Sequence, residues 1–136
     1  MAPVDGAAPR IVLVDADGTD SARLGDCVQD LGYVVCGVAP YERAVQAAED
    51  TGADLALIEL RRAGSREALE TAARIGSRLD LPIVYLIDEG GGDLPKRAAA
   101  SNPYGSVLPP FAPGQLGMTI DTALLRHARE SGKGMW

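Results

Sequence analysis

Residues 11–20 read IVLVDADGTD: four aliphatic residues running straight into Asp15, Asp17 and Asp20. A short apolar run that stops at carboxylates is the pattern of a buried strand whose end reaches a polar rim. Similar runs recur at residues 33–38, 55–60, 83–87 and 106–108. The longer ones are nearly continuous rather than alternating, which predicts strands covered on both faces, as in a parallel sheet. Between them, apolar residues fall at helical spacing. Leu24, Cys27, Val28 and Leu31 form one stripe, Leu69, Ala72, Ile75 and Leu79 a second, and Leu116, Ile120, Ala123, Leu124 and His127 a third. Ala44, Val45 and Ala48 mark a shorter helix. Residues 96–101 mark a weak one whose stripe is alanine alone. Gly32 and Gly52 stand where a left-handed residue ends a helix, and Pro82 stands ahead of a strand. Five strands alternating with five helices predict a doubly wound α/β domain, with right-handed crossovers that put helices on both faces.

The totals fit one such domain. A chain of 136 residues suits one core, and 46% hydrophobic residues exclude a disordered chain. Aromatic residues are only 4%, so the core is expected from Ala, Val, Leu and Ile. A net charge of −6 argues against nucleic acid as a ligand, because phosphate binding wants a basic face. Cys27 and Cys36 lack the spacing of a metal site or a disulfide framework and read as two small buried hydrophobes. The start of the chain lacks the basic and apolar segments of a signal peptide, and no run approaches the roughly 20 apolar residues of a membrane helix. A cytoplasmic protein is expected, with a loose leader at 1–9, the domain at 10–130 and a tail at 131–136.

The acidic strand end admits a catalytic reading. Asp15-Ala16-Asp17-Gly18-Thr19 spells DxDGT, which resembles the nucleophile motif of haloacid dehalogenase-type phosphatases. That resemblance implies Asp15 as nucleophile and Asp17 as acid/base. It also implies a lysine to offset phosphoryl charge and a hydroxyl at a later strand end. The two lysines, Lys96 and Lys133, lie in the weak helix and the tail, and the candidate strand ends Val38, Leu60 and Ile87 are apolar. One motif is present without its partners.

A second resemblance spans residues 10–130. IVLVDAD, LGYVVCGVAPYERAVQ, ADLALIEL, LPIVYLI, NPYGSVLPPF and QLGMTIDTALLRHARE follow one another as the successive units of a response-regulator receiver domain of two-component systems. The resemblance implies a flavodoxin-like (βα)5 sandwich with a parallel five-stranded sheet in the order 2-1-3-4-5 and a site at the carboxyl ends of strands one, three and five. It puts the paired Mg²⁺-holding acids at Asp15 and Ala16, with Asp17 one residue further on. It puts the phosphoacceptor at Glu59, the switch hydroxyl at Ile87, the switch aromatic at Ser106 and the paired lysine at Pro109.

Each departure has a consequence. Loss of a carboxylate at Ala16 weakens a Mg²⁺ site, so no cofactor is expected and any Mg²⁺ would be weakly held. Ile87 has no hydrogen to donate, and Pro109 carries neither charge nor N–H. The rim is thus expected to keep acids and lack a counter-charge. Glu59 reads either as a stand-in for a phosphorylated aspartate or as a solvated acid at a strand end. A phosphorylation-independent pseudo-receiver follows, not an enzyme. The alternative is a phosphoacceptor with an atypical pocket of Asp15, Asp17 and Glu59. The implied partners are proteins: a sensor kinase, an output module or another signalling protein, or a second copy through the face of the fourth helix, fifth strand and fifth helix. Neither nucleic acid nor membrane is implied for this domain. Within the same family the bond before Pro110 is cis, and Pro109-Pro110 keeps that option. Asp88, Glu89 and Asp93 around Gly90–Gly92 repel anions, so that loop is no phosphate cradle. His127 reads as a surface or edge residue.

Overall fold

The computed structural model describes residues 8–15, 21–87, 93–108 and 112–131. Strands β1 (Arg10–Val14), β2 (Val34–Ala39), β3 (Leu55–Leu60), β4 (Ile83–Ile87) and β5 (Gly105–Val107) alternate with helices α1 (Ser21–Asp30), α2 (Ala44–Thr51), α3 (Ser65–Leu79), α4 (Leu94–Ala100) and α5 (Pro113–Glu130). A single 3-10 turn, Tyr41–Arg43, leads into α2. All four strand pairings are parallel, and the order is β2-β1-β3-β4-β5, as expected.

The continuous apolar strands have the predicted cause. Every residue of β3 and β4 is buried, because each faces a helical layer. Alternation divides β3: Leu55 and Leu57 point to one core, Ala56, Ile58 and Leu60 to the other. The first core holds Val28 of α1 and Leu116, Ile120, Ala123 and Leu124 of α5. The second holds Ala44 and Ala48 of α2, Ala68, Ala72 and Ile75 of α3, and Leu94 and Ala98 of α4. Small residues on α2, α3 and α4 let three helices share one face of the sheet.

The ends of the elements are tied as the sequence suggests. Gly52 takes φ 65° and its N–H closes the last turn of α2. Arg10 adds a cap, its guanidinium donating to Thr51 O from Nε at 3.1 Å and Nη2 at 3.0 Å. The weak helix exists as α4, seven residues long with Pro95 in its first turn. Cys27 and Cys36 are half-buried rather than buried, and Cys36 Sγ approaches Thr51 Oγ1 at 3.3 Å. His127 departs further from expectation. It is buried at the end of α5, edge-on to Tyr104 and 3.3 Å from Asp80 Oδ1, because the α3–β4 turn folds over that helix end. No helix among the described residues is long and apolar enough to cross a membrane.

Candidate functional site: the carboxyl-end rim

β1 and β3 lie side by side at the centre of the sheet, with Val14 opposite Ile58. One residue further along, Asp15 and Glu59 are neighbours at the carboxyl edge, and alternation puts both on the side of Leu13 and Leu57. Asp15 is 4% exposed and Glu59 6%. Asp15 N–H donates to Ala39 O at 3.1 Å, which binds the end of β1 to β2.

Glu59 is therefore not the solvated acid that one reading expected. The strand runs one residue past it to Leu60, and Leu86 of β4 lies opposite. A carboxylate so enclosed needs charge-assisted hydrogen bonds to offset its lost hydration. Arg61 provides one, its Nη2 donating to Glu59 Oε1 at 3.0 Å. The Arg61 side chain is 27% exposed, so the pair sits at the boundary of solvent. The expectation of a rim without a counter-charge is corrected by this guanidinium. The signal was available: Arg61 lies two residues after Glu59, the spacing that returns a side chain to the same face of an extended chain.

Tyr41 completes the cluster from the β2–α2 side. It is buried, and its hydroxyl donates to the carbonyl of Glu59 at 2.9 Å. Burial, reinforced by the carboxylates of Glu59 and Asp15, pushes its pKa up to about 12, against a smaller opposing pull from Arg61. Below the pair, the start of α3 is anchored to α4. Arg97 Nη1 donates to the buried Ser65 Oγ at 2.9 Å. Neither Tyr41 nor Arg97 was singled out from the sequence, since nothing local marks a tyrosine after Pro40 or an arginine among alanines.

The remaining positions fall as follows. Ile87 ends β4, is fully buried, and belongs to the core shared with α2, α3 and α4. Ser106 is exposed on β5, opposite Tyr85. Ala16, Asp17 and Pro109, and the bond before Pro110, lie outside the described residues. A cleft of about 300 Å³ opens at the far end of the sheet, between α3 and the α4–β5 connection, lined by Gly76, Ser77, Asp80, Tyr85, Ser101 and Tyr104 among others.

No family model matches the chain. A solved signal receiver domain of a modulated diguanylate cyclase from Desulfovibrio desulfuricans G20 is 31% identical, with a TM-score of 0.78, over 90% of this chain and 98% of that one. The transcriptional regulatory protein PdtaR of Mycobacterium tuberculosis is 29% identical over 124 residues, which are 90% of this chain and 60% of that protein. The chain thus spans under two thirds of the curated relative it matches. A CheY-like response regulator receiver domain from Methanospirillum hungatei JF-1, 18% identical with a TM-score of 0.73, has the same fold.

Proposed function

The chain belongs to the receiver-domain family of two-component response regulators, and from that premise we propose that it signals by binding protein, without accepting a phosphoryl group. One observation carries this reading: Glu59, at the position where the family resemblance places the phosphoacceptor, is buried with its Oε1 held by Arg61 at 3.0 Å. An attacking carboxylate must present a lone pair to phosphorus. Here a guanidinium already holds one oxygen of that group.

The donor set also does not suit Mg²⁺. A hard dication of near-octahedral demand wants several oxygens. Ala16 contributes no carboxylate, and a cation at Glu59 Oε1 would have to displace Arg61. Ile87, buried among aliphatic side chains, offers no hydrogen bond to a phosphoryl oxygen.

The partner is a protein: a sensor kinase, an output module, or a second copy. Exposed large apolar side chains at Leu108, beyond β5, and at Met118 and Leu125 on α5 support a contact on that side of the domain. The setting is the cytoplasm, where two-component partners of this family are met. The test is intact mass after incubation with a small phosphodonor and Mg²⁺. An unchanged mass is expected. A gain of one phosphoryl group mapped to Glu59 or Asp15 would overturn the reading.

A further inference from the structure

We propose that the cleft between α3 and the α4–β5 connection is a binding site for a small organic cation, an amine or guanidine, held by Asp80. It lies at the opposite end of the sheet from the acidic rim, and phosphoryl chemistry plays no part in it.

The cleft follows from two features of the sequence. α3 has 15 residues and α4 seven, so at 1.5 Å per residue they run about 22 Å and 10 Å, and the shorter helix leaves part of the longer one uncovered. The stretch of α3 that faces the gap carries only small side chains, Ala72, Ala73, Gly76 and Ser77. A Cβ built on Gly76 would meet nothing within 4 Å, so the space over that helix is open. The cleft holds about 300 Å³, the lower end of the range for small-molecule sites. A second cleft of about 190 Å³, against the end of α5, shares Asp80 and Leu81 with it.

The lining decides the chemistry. Ser101 Oγ donates to Ala98 O at 2.8 Å, so it accepts from the Tyr85 hydroxyl at 2.9 Å and keeps one lone pair. Ser77 Oγ donates to Arg74 O at 3.4 Å. Both serine hydrogens are thus spent on the backbone, and what the serines can offer a ligand is acceptors. Asp80 adds a carboxylate at the junction of the two clefts, with its side chain 73% exposed. Its Oδ1 lies 3.3 Å from His127 Nε2, which holds the group in place. A carboxylate has about four acceptor positions, and the ring takes at most one. Asp54 lines the second cleft, and neither cleft is lined by lysine or arginine among the described residues. The nearby Arg126 lies over the Tyr104 ring at 4.6 Å and pairs with Glu130 at 3.3 Å, so its charge is already matched. Acceptors and unmatched negative charge in a small cleft select a ligand that is positive and rich in N–H donors.

The experiment is a titration of the whole chain with agmatine, which carries an amine and a guanidinium, followed by the amide signals of Gly76, Ser77, Asp80, Ser101 and Tyr104. Saturable shifts are expected there, and none with adipate, a dianion of similar length. Asp80→Asn removes the charge, and asparagine tolerates the left-handed backbone that Asp80 takes at φ 52°. It is expected to weaken binding about five-fold, as for one charged contact at an exposed carboxylate. Gly76→Leu fills the cleft and replaces a helical glycine with a better helix former, so it is expected to abolish saturation while melting no lower than the parent. Absence of saturable shifts at those amides in the parent would overturn the proposal. So would equal shifts with adipate, or parental affinity in either variant.

Discussion

Replacing Glu59 with Gln and Arg61 with Met, singly and together, measures how strongly the rim holds its own counter-charge. At 3.0 Å and an effective dielectric constant of about 20, Coulomb attraction amounts to roughly 5 kcal/mol. Much of that is lost again. The carboxylate is 7% exposed in its side chain and the guanidinium 27%, so burial costs the acid its hydration while water still screens the base. The pair lies between an exposed bridge, worth about 0–1 kcal/mol, and a buried one, whose disruption costs about 3–5 kcal/mol. A coupling of about 1–2 kcal/mol is expected from urea unfolding of the four proteins, with unchanged m-values. Each single variant should then melt roughly 3–8 °C below the parent. Both residues make other interactions, and the cycle cancels them. Coupling below about 0.5 kcal/mol, the usual error of additivity, would refute the view that Arg61 neutralises Glu59.

Three further outcomes follow from the packing. Burial, hydrogen bonds to carboxylates, or both raise the pKa of all four tyrosines, Tyr33, Tyr41, Tyr85 and Tyr104, so absorbance at alkaline pH should show folded tyrosines ionising above the ordinary value of 10.0. The folded pKa of Tyr41 exceeds its unfolded one, so its contribution is complete below pH 10 and lost as pH rises through about 12. Tyr41→Phe should flatten that decline by about 2–3 kcal/mol. A Cβ at Gly105 would meet Thr119 Cγ2 at 2.7 Å, so Gly105→Ala should cost about 1–3 kcal/mol by overpacking, and Thr119→Ala in the same chain should recover most of it. Arg10→Met removes both donors to Thr51 O, at an expected cost of about 0.5–1 kcal/mol in the urea midpoint.

The fold was legible because burial on both faces leaves a plain mark. The runs at residues 55–60 and 83–87 coincide with β3 and β4, and the apolar stripes lie on the core faces of α1, α3 and α5. Their boundaries were less legible. α3 begins at Ser65, four residues before its first apolar stripe residue, because Gly64 turns the chain and Arg97 holds Ser65 from a distant helix. The site was half legible. Asp15 and Glu59 could be located by their place at strand ends, as could Ile87 at the end of β4, while Asp17 lies outside the described residues. What sequence patterns do not record is which long side chain folds back. Arg61 reads as one of two arginines in a loop until β3 extends past Glu59 and creates a buried carboxylate for it to meet. His127 was misplaced for a related reason: its neighbours Asp80 and Tyr104 lie 47 and 23 positions away, so nothing local announced its burial.

Magnesium must be held before a receiver can accept a phosphoryl group, so the most direct measurement is a Mg²⁺ titration followed by the backbone amide signals of Asp15, Glu59 and Arg61. A chain whose Glu59 is engaged by Arg61 should show only small, linear, non-saturating shifts into the millimolar range. Saturable shifts at those three amides, lost on Asp15→Asn, would contradict the account.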